Sequence, residues 1–320
     1  MIQVYLLLLL GLLLLFMSGK FLVDSSVAIA RRLGIPTMVI GLTVVAFGTS
    51  APELLVSLQA AFRGYPEIAM GNVVGSNISN ILLVLAITAV IFPIPVPAVS
   101  VKQDWPVLML VSLGLFGFSL DGTLTRTEGL LFIAMLVLYL VFVIIRARKT
   151  PEITKAITNE SRQGNTTKSP VMKGWVAGIV FLVSCVGLAF GANLLVENAA
   201  EIAGTMGISQ RVISITMVAV GTSIPELATS VIAALKKETD ISVGNIIGSN
   251  IMNILSVLGF TSIVGDISVD RAIARFDIPW MLGISLLLLL LMLPAARSRI
   301  TRWEGILMIV IYLLYIYLIF

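Results

Sequence analysis

The chain has 320 residues, of which 58% are hydrophobic and only 12% charged, and its mean hydropathy is +1.06. Soluble domains carry about twice that charge, so this is an integral membrane protein. The net charge of +4 is no nucleic-acid signal, because the basic residues fall at span ends and in one linker. Histidine is absent and Cys185 stands alone, which excludes an internal disulfide, a thiolate metal cluster and the usual proton shuttle.

Met1 to Met17 is apolar but has neither a basic leader nor a small-residue cleavage site, so it is expected to open the first membrane helix. That helix is expected over Ile2–Arg31, ending at the Gly34-Ile35-Pro36 stop signal. At about 1.5 Å per residue it outruns a hydrocarbon core of about 30 Å, and must tilt or protrude. The second span, Thr37–Phe62, holds Gly48-Thr49-Ser50-Ala51-Pro52-Glu53 and ends in the turn Arg63-Gly64-Tyr65-Pro66. The third, Ile68–Phe92, contains Gly71-Asn72-Val73-Val74-Gly75-Ser76-Asn77-Ile78-Ser79-Asn80 and stops at Pro93, Pro95 and Pro97. Trp105–Leu120 and Thr127–Ile145 complete a first set of five. Residues 146–173 are polar, a linker too short for a folded domain. Five further spans are expected at Val171–Ala203, Val212–Leu235, Ile241–Val264, Ala274–Leu293 and Ile300–Phe320.

The second set copies the first. Without a gap, 41–92 and 214–265 share 25 identities in 52 positions, and Gly221-Thr222-Ser223-Ile224-Pro225-Glu226 repeats the first signature. Leu124-Thr125-Arg126-Thr127-Glu128-Gly129-Leu130 resembles Ile300-Thr301-Arg302-Trp303-Glu304-Gly305-Ile306. An odd number of spans per copy inverts the second copy in the membrane. With the amino terminus outside, the cytoplasmic segments hold Lys20, Arg31, Arg32, Lys102, the linker, Lys236, Lys237, Arg297, Arg299 and Arg302. The outer side holds only Arg63, Arg126, Arg211, Arg271 and Arg275, as the positive-inside rule asks of a multi-pass protein of the plasma membrane. The fold expected is all-α: ten transmembrane helices in two inverted five-helix repeats, 1–145 and 171–320, with broken helices at the midplane and a cytoplasmic linker at 146–173.

Each copy buries a carboxylate where one is expensive, one step after a proline. Pro52 has no N–H, so the carbonyls of Ala46, Phe47 and Gly48 are expected to lose helical partners. Backbone of that kind is tolerated at membrane depth only inside protein or beside a wet cavity. Thr49 and Glu53 share a helix face at i and i+4, as do Ser76 with Asn80, Thr222 with Glu226 and Ser249 with Asn253. Folded together, these eight side chains offer two carboxylates, four hydroxyls and two amides. Such hard oxygens suit one Ca²⁺, or several Na⁺, and not the softer transition metals.

Around them, Ser57 and Ser230 are read as bonding back to a carbonyl one turn earlier. Gly71, Gly75, Gly244 and Gly248 have the spacing for close helix packing. Asn72, Asn245, Asn77 and Asn250 are read as holding the broken helices, and Asp24 and Glu197 as interfacial.

The doubled Gly-Thr-Ser-x-Pro-Glu and Gly-Asn-x-x-Gly-Ser-Asn-Ile-x-Asn resemble the alpha repeats of the calcium/cation antiporter superfamily, and its prokaryotic sodium/calcium exchanger branch above all. The resemblance covers nearly the whole chain. It implies Na⁺-driven Ca²⁺ movement, with these two ions as the substrates in a lipid bilayer, no cofactor and no protein partner. It implies ion ligands at Thr49, Ser50, Glu53, Ser76 and Asn80, and opposite them at Thr222, Ser223, Glu226, Ser249 and Asn253. The carbonyls of Ala46 and Ala219 match family ligands too. It also implies that the long helices at 2–31 and 171–203 slide as a pair, and that three Na⁺ exchange for one Ca²⁺. Several members carry aspartate where this chain has Asn253, the potassium-dependent branch among them, which argues against K⁺ cotransport here. The chain is accordingly read as an antiporter and not an enzyme. The alternatives are a H⁺/Ca²⁺ exchanger, because buried carboxyls can carry protons, and a passive cation channel. An intramembrane protease lacks a nucleophile–base pair or an aspartate dyad.

Overall fold

The computed structural model describes residues 2–149, 172–206, 221–293 and 299–319. The protein is an all-α membrane protein. Its helices are α1 (Ile2–Leu33), α2 (Thr37–Thr49), α3 (Ala51–Phe62), α4 (Ile68–Ile91), α5 (Trp105–Phe118), α6 (Arg126–Lys149), α7 (Gly174–Thr205), α8 (Ile224–Leu235), α9 (Thr239–Val264), α10 (Ile273–Met292) and α11 (Arg302–Ile319). Among the described residues seven helices are long and apolar enough to cross a bilayer, or eight when α2 and α3 count as one span bent by 40°. At the expected fourth span, α5 has 14 residues and continues from a π-helical turn at Ser100–Asp104, and α8, of 12 residues, is the end of the expected 212–235 span. Residues 212–220 of that span lie outside the described residues.

Local sequence accounts for the helix starts. Pro52 and Pro225 sit in the first turn of their helices, where a missing N–H leaves nothing unpaired, whereas Pro106 and Pro279 each come just after a π-helical turn, Ser100–Asp104 and Ile273–Asp277. Helices α6 and α11 open with matching capping boxes. Glu128 Oε2 accepts from Thr125 N and Oγ1 at 2.7 and 2.8 Å, and Glu304 takes the same two donors from Thr301.

Burial divides the helices into a centre and a shell. The most apolar stretches of α4 and α9 are 72% and 89% buried, while those of α1, α6, α7, α10 and α11 do not pass 33% and turn leucines outward to lipid. Close approach between helices depends on glycines. A Cβ at Gly248 would stand 2.6 Å from Leu42 O, and one at Gly305 would stand 2.7 Å from Ala86 O. Thus α2 lies against α9, and α11 against the end of α4. Helices α1 and α7 run together through Gly11 and Gly191, and the Arg32 guanidinium donates to Met172 O at 2.8 Å.

Four two-residue strands, not foreseen in the sequence, tie the two sets of helices outside the helical layer. Ile94–Pro95 pairs with Arg299–Ile300, and Thr123–Leu124 pairs with Ile267–Ser268, both antiparallel.

Candidate functional site

The chain bends at the same residue in both signatures. Ser50 has φ −84° and ψ 3°, and Ser223 has φ −84° and ψ 1°. One bend separates α2 from α3, and both put a glutamate into the first turn of the helix that follows, where the helix dipole favours negative charge. Glu53 and Glu226 are completely buried. The break is narrower than expected, because Ala46 O keeps a helical donor: Ser50 N approaches it at 3.0 Å. The third and eighth spans have no such break. Both α4 and α9 run on continuously, and each widens into a π-helical stretch that begins at the motif asparagine, Asn80–Leu85 and Asn253–Leu258. One-turn π insertions are frequent at functional sites.

Hydroxyls meet across the two halves. Ser76 Oγ lies 3.1 Å from Thr222 Oγ1, and Thr49 Oγ1 lies 3.2 Å from Ser249 Oγ and 3.0 Å from Asn245 Oδ1. Ser50 Oγ donates to Glu226 Oε1 at 3.2 Å. Six of the expected ligand residues, Thr49, Ser50, Ser76, Thr222, Glu226 and Ser249, are thus brought together across the two halves, and Glu53, Asn80, Ser223 and Asn253 are buried in the same signature segments. Ala46 adjoins this cluster through its carbonyl, 3.3 Å from Thr49 Oγ1. Ala219 lies outside the described residues.

A frame of asparagines holds the cluster. Asn72 donates to Ser57 Oγ at 3.1 Å and to Glu53 O at 3.3 Å, and Asn245 donates to Ser230 Oγ at 3.1 Å. Ser57 and Ser230 thus serve as acceptors for these amides and make no bond back along their own helices, which corrects the sequence reading. Asn77 donates to Asn250 O at 3.2 Å and accepts from Asn253, while Asn80 donates to Asn250 Oδ1 at 3.2 Å. Sequence spacing marked Asn77 and Asn250 as structural, but not that they orient the very amides expected as ligands.

What remains is mostly a set of orphaned oxygens, with Asn250 Nδ2 an orphaned donor in the frame beside them. Both oxygens of Glu53, Oε2 of Glu226, Oδ1 of Asn80, Oδ1 of Asn253 and Oγ of Ser223 are buried and have no hydrogen-bond partner. Five of the six are pure acceptors, and buried acceptors without donors are costly. Among the described residues no three His, Cys, Asp or Glu side chains come together, so the two glutamates are the formal charge here.

The profile of the family described as sodium/calcium exchanger protein matches residues 3–145 and 176–320. This chain belongs to that family. CaxA of Alkalimonas amylolytica is 41% identical over 98% of this chain and 97% of its own length. The sodium/calcium exchanger MaX1 of Methanosarcina acetivorans is 32% identical over 99% of this chain and 98% of its own. A solved structure of the sodium-calcium exchanger NCX_Mj superposes with a TM-score of 0.81 at 32% identity, covering 98% of each chain.

Within this sodium/calcium exchanger framework the glycines have a defined task. Gly244 and Gly248 let α9 touch the backbone of α2, with Met38 O at 2.8 Å from a Cβ at 244. The segment equivalent to Met38–Ala46 in the second copy is 211–219, outside the described residues, so the matching role of Gly71 and Gly75 rests on the repeat. Asp24 of α1 is ion-paired to Lys236, and Glu197 is exposed on α7. Both fit the interfacial reading.

Proposed function

We propose that the protein is a secondary antiporter that exchanges Na⁺ for Ca²⁺ across a prokaryotic plasma membrane by alternating access. The observation that carries this reading is the set of six orphaned oxygens in the middle of a membrane protein. A site dominated by acceptors calls for a cation, and hard oxygens at this number call for Ca²⁺ or Na⁺. One Ca²⁺ neutralises the two glutamates. Without ions, two unpaired carboxylates in a low-dielectric core make reorientation costly, which is what obligatory exchange requires. The names of MaX1 and NCX_Mj support the choice of ions.

The proposed ligands are the side chains of Thr49, Ser50, Glu53, Ser76, Asn80, Thr222, Ser223, Glu226, Ser249 and Asn253, with the carbonyls of Ala46 and Ala219. The proposed frame is ten spans in two inverted repeats, 1–145 and 171–320, with the amino terminus outside and the 146–173 linker in the cytoplasm. Paired features at an offset of 173 support it: the Ser50 and Ser223 bends, the Asn80 and Asn253 π stretches, and the Asn72–Ser57 and Asn245–Ser230 bonds. No covalent step is needed, because the residues only replace hydration shells.

Uptake of radioactive calcium into proteoliposomes tests the reading. An outward Na⁺ gradient should drive it, and a pH gradient alone should not. Uptake driven by pH alone would favour a H⁺/Ca²⁺ exchanger, and uptake independent of any counter-ion would favour a channel.

A further inference from the structure

Helices α3 and α8 end in the same backbone motif and carry a basic residue at the same place in it. Tyr65 N bonds Ala60 O at 2.9 Å and Gly64 N bonds Ala61 O at 3.0 Å; Glu238 N bonds Ala233 O at 2.8 Å and Lys237 N bonds Ala234 O at 3.0 Å. This is a Schellman ending twice over, with Gly64 at φ +89° and Lys237 at φ +62°. The residues before them match as well, Arg63 at φ −86°, ψ 0° and Lys236 at φ −80°, ψ 0°. The long helices supply acids at equivalent positions. Leu22-Val23-Asp24 in α1 and Leu195-Val196-Glu197 in α7 stand 173 residues apart, as Arg63 and Lys236 do.

Only one of the two acid–base pairs is made. Lys236 Nζ is ion-paired with Asp24 Oδ1 and also donates to Lys20 O at 3.2 Å. Arg63 and Glu197 are both exposed, and among the described residues the ion pairs are Asp24–Lys236 and Asp104–Arg146. The cause is the placement of the long helices and not the local backbone. α1 packs along α8, with Ile232 6% exposed against Gly19, whereas α7 has no comparable seam with α3, and Gln59, the counterpart of Ile232, is exposed.

We propose that Asp24 with Lys236, and Glu197 with Arg63, are two alternating ion-pair latches, one at each membrane face, and that this structure has the first closed and the second open. The proposal rests on the inverted-repeat, alternating-access reading given above. In such a transporter one bundle rocks against the other, and the opposite-facing state follows when the two repeats exchange conformations. That exchange brings α7 onto α3, so that Glu197 meets Arg63, and draws α1 off α8, so that Asp24 leaves Lys236. The Asp24–Lys236 side chains are 41% and 26% exposed, so each latch biases the equilibrium without locking it.

The test uses the full chain in proteoliposomes with Cys185 replaced by alanine, in two versions: Asp24→Cys with Lys236→Cys, and Arg63→Cys with Glu197→Cys. The first pair should oxidise to a disulfide readily and the second slowly. Adding Asp24→Asn to the second pair should speed its cross-linking about threefold to fivefold, the population shift expected from losing a partly exposed ion pair. The 63–197 disulfide should stop calcium exchange, and reductant should restore it. If the parent exchanges calcium but the 63–197 pair never cross-links, or its rate ignores Asp24→Asn, the latch is overturned and the transport reading stands. A parent that exchanges no ions overturns the transport reading and the latch with it.

Discussion

Asn253 donates its amide to Asn77 Oδ1 across 3.2 Å. The reciprocal bond from Asn80 to Asn250 Oδ1 has the same length, and in each case the donor's own carbonyl oxygen is left without a partner. Asn77 and Asn250 therefore each take up an N–H of a motif asparagine and leave the oxygens of Asn253 and Asn80 free.

Asn77→Ala removes no proposed ligand but releases the Asn253 amide. We expect the calcium concentration for half-maximal exchange to rise about tenfold, the lower end of what losing a partner behind a metal ligand costs. Concentration dependence of calcium flux measures this, with expression and thermal stability checked alongside. An unchanged half-saturation would mean that Asn77 does not orient Asn253.

Gly248→Ala tests the packing that holds α2 to α9. The added methyl would meet Leu42 O at 2.6 Å and Ala46 Cβ at 2.8 Å. Backbone cannot swing aside as a side chain can, so a loss of about 1–3 kcal/mol is expected, read as a lower melting temperature in detergent. Gly114→Ala is the control. A Cβ there meets nothing among the described residues within 4 Å, and alanine in a helix should be neutral or better by up to about 1 kcal/mol. Equal melting temperatures for the two variants would contradict the packing account.

Much of this was legible in the sequence because charge and proline are costly inside a membrane, and a costly feature that occurs twice marks a site. The helix order, the glutamates, the turn at Gly64 and the packing glycines of α9 followed from residue type and spacing alone. The details that depend on geometry did not. Nothing in local propensity separates a broken helix from one that widens into a π stretch at Asn80. Likewise, only the approach of α4 to α3 decides that Asn72 reaches Ser57 before Ser57 turns back to its own helix. The short strand pairs were hidden because two residues carry no alternating pattern.

Voltage should move net charge if three Na⁺ exchange for one Ca²⁺, as the family resemblance implies. With both glutamates ionised, a Ca²⁺-loaded site is neutral and a site holding three Na⁺ carries +1. About 2.3 kcal/mol per 100 mV would then act on the Na⁺-loaded step. An inside-negative potential set by K⁺ and valinomycin should drive Na⁺ inward and Ca²⁺ outward. Na⁺-coupled flux indifferent to that potential would mean two Na⁺ per Ca²⁺.

The most direct measurement of the central claim is calcium exchange by Glu53→Gln and Glu226→Gln in proteoliposomes, scored against the amount of folded protein inserted. Each change keeps the size of a completely buried side chain and removes half the site's formal charge. If the orphaned oxygens bind the transported ions, both variants insert normally and Na⁺-driven calcium exchange is abolished in each. Near-parental exchange by a well-inserted Glu226→Gln protein would contradict the account, because the ions would then cross without the second carboxylate.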